Sequence, residues 1–133
     1  MISKNYSVTG EDVNDYMVME SKAYISYTLR LLYHFLFDNG FSKEKLNILN
    51  LGLQEKNQTL VCYKNLMFTE RFSVELKQFY IDNKISIKSY FFNSKKECCA
   101  EVTIEVEWFD NSRKEVIMPP KQILQHFNSN ITL

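Results

Sequence analysis

The chain has 133 residues, 45% of them hydrophobic and 14% aromatic, which is enough for one real core and too short for two. Its 16 basic and 16 acidic side chains cancel, and among the basic ones only Arg30, Arg71 and Arg113 are arginines, so neither a nucleic-acid partner nor an anionic membrane surface is expected. Gly and Pro are scarce, at 3 and 2, which excludes a loop-rich scaffold or a string of flexible modules.

Residues 5–9 alternate among strand formers and stop at Gly10, which predicts a short opening strand. The stretch from Glu11 to Met19 is acidic and then apolar, without helical period, and is expected to be an irregular loop. From Glu20 to Asn39 the pattern is helical, with Glu20 in the first turn and Gly40 as the C-terminal stop. Tyr24, Tyr27, Leu31, His34 and Phe35 share one face, and Ile25, Leu29, Leu32, Leu36 and Phe37 fill most of the rest. A helix apolar nearly all round is expected to be buried nearly all round. In a chain of this size only a sheet curled around it provides that cover.

The remaining residues supply the sheet. Residues 46–54 and 59–68 read as two strands parted by the turn Glu55-Lys56-Asn57-Gln58. Phe72, Val74 and Leu76 alternate with Ser73, Glu75 and Lys77 over 72–80, and Asp82-Asn83 is a turn. Ile85, Ile87 and Phe91 then alternate with Lys84, Ser86 and Lys88, and Asn93 to Lys96 turn again. Ala100, Val102, Ile104, Val106 and Trp108 alternate with Glu101, Thr103, Glu105 and Glu107 in the longest strand. Pro119-Pro120 ends regular pairing. Strand, loop, helix and an antiparallel meander with one wet face make an α+β architecture with a central helix, one domain over 1–133.

Three cysteines, Cys62, Cys98 and Cys99, cannot all pair within the chain, and Cys98 and Cys99 point to opposite faces of a strand. With no Cys-x-x-Cys and with His34 and His126 far apart, neither a metal nor a cofactor is expected. The thiols read as reduced and the chain as cytoplasmic. Residues 1–6 carry no signal-peptide core, and the longest apolar stretch, Leu29 to Phe37, is too short to span a bilayer.

The order of elements resembles the hotdog thioesterases of the 4-hydroxybenzoyl-CoA thioesterase type over residues 5–125. The best-matching stretch runs from Tyr63 through Lys64-Asn65-Leu66-Met67-Phe68-Thr69-Glu70-Arg71 to Leu76, and a second ends in Val106-Glu107-Trp108-Phe109-Asp110. Ile117-Met118-Pro119-Pro120 and a short helix over 121–127 complete the likeness. The resemblance implies a hotdog fold, with the long helix wrapped by an antiparallel sheet of five or six strands. It also implies a homodimer or homotetramer with sites at the subunit interface, and an acyl-CoA or acyl-carrier-protein thioester as substrate. The family sets an Asp between the first strand and the helix, in Asp-x-x-Gly or Asp-x-x-x-His-Val-Asn. Here Asp12 stands at that distance, Asp15 takes the Gly position and Tyr16 the His position. Alignment through Ala23 to Tyr27 moves the Asp position onto Asn14 or Asp15.

Thioester hydrolysis needs a carboxylate that activates water or attacks the carbonyl, and N–H groups for the developing oxyanion. Asp12 and Asp15, ahead of a helix N-terminus, are the catalytic candidates, and Tyr16, Met17, Met19, Tyr24 and Tyr27 are candidate walls for the acyl chain. Each has a plainer role. The acidic pair suits solvated or capping groups, the Tyr and Met residues suit core packing, and Cys62 suits a core thiol. His34, amid Leu and Phe, is expected to be buried and neutral. Lys64, Lys77, Lys84 and Lys88 read as the wet face of the sheet, within reach of a CoA phosphate. A catalytically silent hotdog domain, binding acyl thioesters or scaffolding a dimer, fits the departures from the family pattern. A dehydratase of the same fold is disfavoured, because no His-Gly-Asp-type pair precedes the helix.

Overall fold

The structure, a computed structural model, describes residues 2–81 and 84–124. Strand β1 (Ile2–Ser7) leads through a 3-10 turn (Gly10–Asp12) to helix α1 (Ser21–Asp38) and a short helix α2 (Lys43–Ile48). Strands β2 (Leu51–Cys62), β3 (Arg71–Ile81), β4 (Lys84–Asn93), β5 (Cys98–Asp110) and β6 (Glu115–Ile117) follow, then a helical turn α3 (Lys121–Leu124). The sheet has six strands in the order β1-β3-β4-β5-β2, with β6 paired to β5, and every pairing is antiparallel.

Period-two alternation builds the covered face. Phe72, Val74 and Leu76, Ile85, Ile87 and Phe91, and Ala100 to Trp108 at every second position are buried, while their neighbours are partly exposed. Helix α1 lays Ala23, Tyr24, Tyr27, Thr28, Leu31, Leu32, Phe35 and Leu36 on that face, at spacings of three and four. Ser89 interrupts the apolar alternation of β4 and is fully buried. Thr28 Oγ1 donates to the Tyr24 carbonyl at 2.9 Å, and the Ser89 hydroxyl lies 2.5 Å from Thr28 Oγ1. The helix proton is already committed, so Ser89 is the donor, and both buried hydroxyls are satisfied.

Three expectations change. Helix α1 is not buried all round: Lys22, Ser26, Arg30, His34 and Asp38 are exposed and Phe37 is 64% exposed. His34 is therefore not a core histidine; it faces solvent with Nε2 3.4 Å from the Asp38 carboxylate, one turn on. Cys62 is likewise exposed rather than a core thiol, whereas Cys99 is buried.

The two strands expected over 46–54 and 59–68 are one strand, β2, preceded by a helix. Ser42 caps α2 by accepting from the Lys45 amide at 3.1 Å, Leu46 packs inward, and Asn50 ends the segment in the left-handed region (φ 59°). Residues 55–58 do not turn. They stay in the ladder with β5 through a register shift between Glu55 and Asn57. Their charges are matched across it, with Lys56 Nζ 3.2 Å from Glu107 and Asn57 Nδ2 donating to Glu105 at 3.1 Å. Cross-strand partners override the local turn composition.

Candidate functional site

The segment between β1 and α1 is more ordered than its sequence suggests. Glu20 N–H donates to the Asp12 carbonyl at 2.8 Å, Val13 pairs with Met19, and Asn14 N–H donates to the Val18 carbonyl at 2.9 Å. The result is a small hairpin instead of an irregular loop. Its tip is held by the Asn14 side chain, whose Oδ1 accepts from Tyr16 N at 2.8 Å and Val18 N at 3.2 Å. Met17 takes the left-handed conformation there (φ 65°), a conformation that favours Gly. The hairpin is also braced against 66–70. Met19 N–H donates to the Leu66 carbonyl, Phe68 N–H to the Met17 carbonyl and Val8 N–H to the Glu70 carbonyl, each at 2.9 Å.

The two acidic candidates sit at opposite ends of this hairpin. Asp12 lies at its base, half-buried, and one carboxylate oxygen, Oδ2, takes three donors. These are Thr9 N at 2.9 Å, Thr9 Oγ1 at 3.1 Å and the Tyr27 hydroxyl at 2.6 Å. Among the described residues none donates to Oδ1. Asp15 lies at the exposed tip. The backbone therefore does not bring Asp12 and Asp15 together as a pair.

Tyr27 locks Asp12 to the first turns of α1. Burial, the bond to the Asp12 carboxylate and that carboxylate's charge push the Tyr27 hydroxyl up to about 12, against the opposing charge of Arg30. It remains a donor throughout the neutral range. The Arg30 guanidinium lies over the Tyr27 ring at 4.5 Å and 5.8 Å from the Tyr6 centroid, and the Tyr6 and Tyr27 rings are 4.7 Å apart. The pairs Thr9–Asp12, at capping-box spacing, and Tyr27–Arg30, three apart on one helix, are local, but nothing in the spacing joins one pair to the other. Only the packing of α1 on β1 assembles the cluster.

The candidate apolar walls divide into two groups. Met19, Tyr24 and Tyr27 are core residues in the single chain, 4%, 1% and 3% exposed. Tyr16 and Met17, 83% and 52% exposed, project from the hairpin tip. They are joined there by Met67 and Phe68, which backbone pairing with Val18 and Met17 holds alongside. Together these four form an exposed apolar rim, two of whose members were not singled out from the sequence. The Tyr24 hydroxyl is buried with no hydrogen-bond partner among the described residues, and burial followed by neighbouring Cys62 raises its ionisation. Glu20 is the residue that caps α1 rather than a first-turn member, with its carboxylate 3.8 Å from Lys22 Nζ.

Beside this site, β2 offers one edge: among the described residues it pairs only with β5, and most of its 12 residues are exposed. Among the described residues there is no group of three or more His, Cys, Asp or Glu able to hold a metal ion, and no helix long and apolar enough to cross a membrane.

A long helix packed across a curled antiparallel sheet in the order β1-β3-β4-β5-β2, entered through a braced acidic hairpin, is the hotdog fold. Solved structures agree. A Staphylococcus aureus protein in complex with CoA superposes with a TM-score of 0.86 at 14% identity, over 98% of this chain and 86% of that one. A gentisyl-coenzyme A thioesterase matches at 0.80 and 15% identity, over 92% of this chain and 99% of its own. A 1,4-dihydroxy-2-naphthoyl-CoA thioesterase from Synechocystis matches at 0.84 and 9% identity, over 92% of each. No family model matches the sequence, and a search of curated proteins finds no match.

Proposed function

We propose that the chain is an acyl-thioester hydrolase acting on acyl-CoA, working as an edge-to-edge dimer with its site beside the hairpin of residues 12–20. The observation that carries this reading is the Asp12 carboxylate. It is anchored through Oδ2 at the entrance to α1, and among the described residues none donates to its other oxygen. In this reading Oδ1 takes a proton from water as the water oxygen adds to the thioester carbonyl carbon. Collapse of the tetrahedral intermediate breaks the C–S bond, and the departing sulfur takes the proton. Free N–H groups in the first turn of α1 supply the oxyanion donors. The rim of Tyr16, Met17, Met67 and Phe68 receives the acyl group, and the open edge of β2 pairs with a second chain. Acyl-carrier-protein thioesters are the other carrier to try.

The test is thiol release from a panel of acyl-CoA esters by the wild type, Asp12→Asn and Asp15→Asn. Loss of turnover in Asp12→Asn, with folding retained, supports Asp12 as base. Full activity in that variant overturns its role. One observation favours a second reading, a silent binder. The Asn14 amide occupies an alternative position for the family's Asp and is spent on holding the turn. Binding of acyl-CoA without thiol release by the wild type would establish that reading instead.

A further inference from the structure

Where β2 ends, three residues form a row across the covered face of the sheet. Cys62 pairs with Ala100 and Ala100 with Phe91, so their side chains stand side by side on adjoining strands. Tyr24, in the first turns of α1, packs edge-on against Phe91 with ring centroids 5.0 Å apart. Ala100 is the small member of the row, and the Tyr24 phenol reaches past it toward Cys62. Tyr24 is 1% exposed, and its hydroxyl has no hydrogen-bond partner among the described residues. After burial itself, the groups that act most on this hydroxyl are Cys62 and the Leu66 backbone, with Cys99 behind them.

Cys62 is the most accessible of the three thiols: it is exposed, Cys98 is half-buried and Cys99 is buried. Its Sγ lies 3.7 Å from the Lys64 carbonyl and 3.8 Å from Asn65 Oδ1, long contacts through a weak donor. Cys98 and Cys99 turn elsewhere, to the carbonyls of Ala100 at 3.7 Å and Glu97 at 3.5 Å. The backbone around Cys62 is fixed. The Tyr63 and Lys64 amides donate to the Cys99 carbonyl at 2.8 and 3.1 Å, and the Leu66 carbonyl accepts from the Met19 amide at 2.9 Å. A buried phenol donor without an acceptor thus faces a thiol that solvent reaches. Sulfur accepts hydrogen bonds poorly, whereas an oxygen carried on it accepts them well.

We propose that Cys62 is a reversible oxidation site, at which a hydroperoxide converts the thiol to a sulfenate whose oxygen is held by the Tyr24 hydroxyl. The Cys62 thiolate attacks one peroxide oxygen and the O–O bond breaks. The departing oxygen leaves as water or an alcohol, taking a proton. Sulfur is oxidised by two electrons and the peroxide is reduced by the same two. The new oxygen gives Tyr24 the acceptor it lacks, which holds the residue at the sulfenate stage. A small thiol then restores Cys62 by way of a mixed disulfide. The site stands whether or not the chain is a hydrolase.

The test is treatment of the full chain with hydrogen peroxide, trapping with dimedone, and peptide mapping by mass spectrometry. The expected result is a dimedone adduct on Cys62, absent from Cys62→Ala and from wild type reduced with dithiothreitol before trapping. In Tyr24→Phe, which keeps the ring and whose folding is checked by circular dichroism, the sulfenate lifetime is expected to fall roughly tenfold, as for loss of one hydrogen bond to a charged group. Sulfinate should accumulate there in its place. The wild type supplies a second measurement, because its oxidised form is expected to melt at a higher temperature than its reduced form. An adduct on Cys98 or Cys99 instead of Cys62, a disulfide in its place, an equal lifetime in Tyr24→Phe, or a lower melting temperature on oxidation overturns the proposal.

Discussion

Strands β5 and β2 lie side by side, with 13 and 12 residues, and their sequences could hardly read more differently. Strand β5 has β4 on one side and β2 on the other, and its inner face is pressed under α1. Its burial alternates strictly from Ala100 to Trp108. Among the described residues strand β2 has a partner on one side only, and eight consecutive positions from Gln54 to Val61 include just one, Leu60, that is not exposed. A strand writes its period into the sequence when one face is dry and the other wet. An edge strand with both faces wet leaves no such record.

The comparison can be broken first at β5. Ile104→Ala removes a fully buried side chain and is expected to cost ~2–5 kcal/mol in denaturant unfolding, whereas Thr59→Ala at the edge is expected to stay within ~0.5 kcal/mol. Similar costs for the two would mean that β2 is covered in solution. The dimer proposal makes the next largest prediction. Val61→Lys, at a position 44% exposed, is expected to shift sedimentation from dimer to monomer while the far-ultraviolet circular dichroism is unchanged. A wild type that sediments as a monomer at micromolar concentration removes the edge-to-edge assembly.

A smaller effect sharpens the contrast between the hairpin's base and its tip. Tyr27→Phe deletes one donor to Asp12 but leaves the two from Thr9, so a loss of about 1–3 kcal/mol is expected. The hydroxyl's ionisation rises on folding from 10.0 to about 12, so the stability it contributes is complete below pH 10 and is lost as pH climbs through 12. Alkaline unfolding should show that loss in the wild type and less of it in Tyr27→Phe. The smallest change expected is at His34. His34→Ala should move stability by no more than ~0.5 kcal/mol, because its partner Asp38 is 59% exposed. A loss of several kcal/mol would place His34 under a partner subunit.

The sequence carried the helix, the strands β3, β4 and β5, and the overall architecture, because each of those elements buries one face and repeats at its own period. Positions such as Phe72-Val74-Leu76 and Val102-Ile104-Val106 needed no tertiary information. It also marked the acidic segment ahead of α1 as a candidate site. Tertiary structure decided the rest. Cross-strand charges from Glu105 and Glu107 turned Glu55 to Gln58 from a turn into a bulged strand. The limited width of one sheet left Arg30, His34 and Phe37 of α1 in solvent, although their neighbours predicted burial. Most consequentially, Tyr27 and Asp12 lie 15 positions apart and meet only because α1 packs against β1. Local spacing encodes what a segment forms. Which of its polar atoms is tied down, and which is left free for chemistry, depends on partners that are distant in the chain.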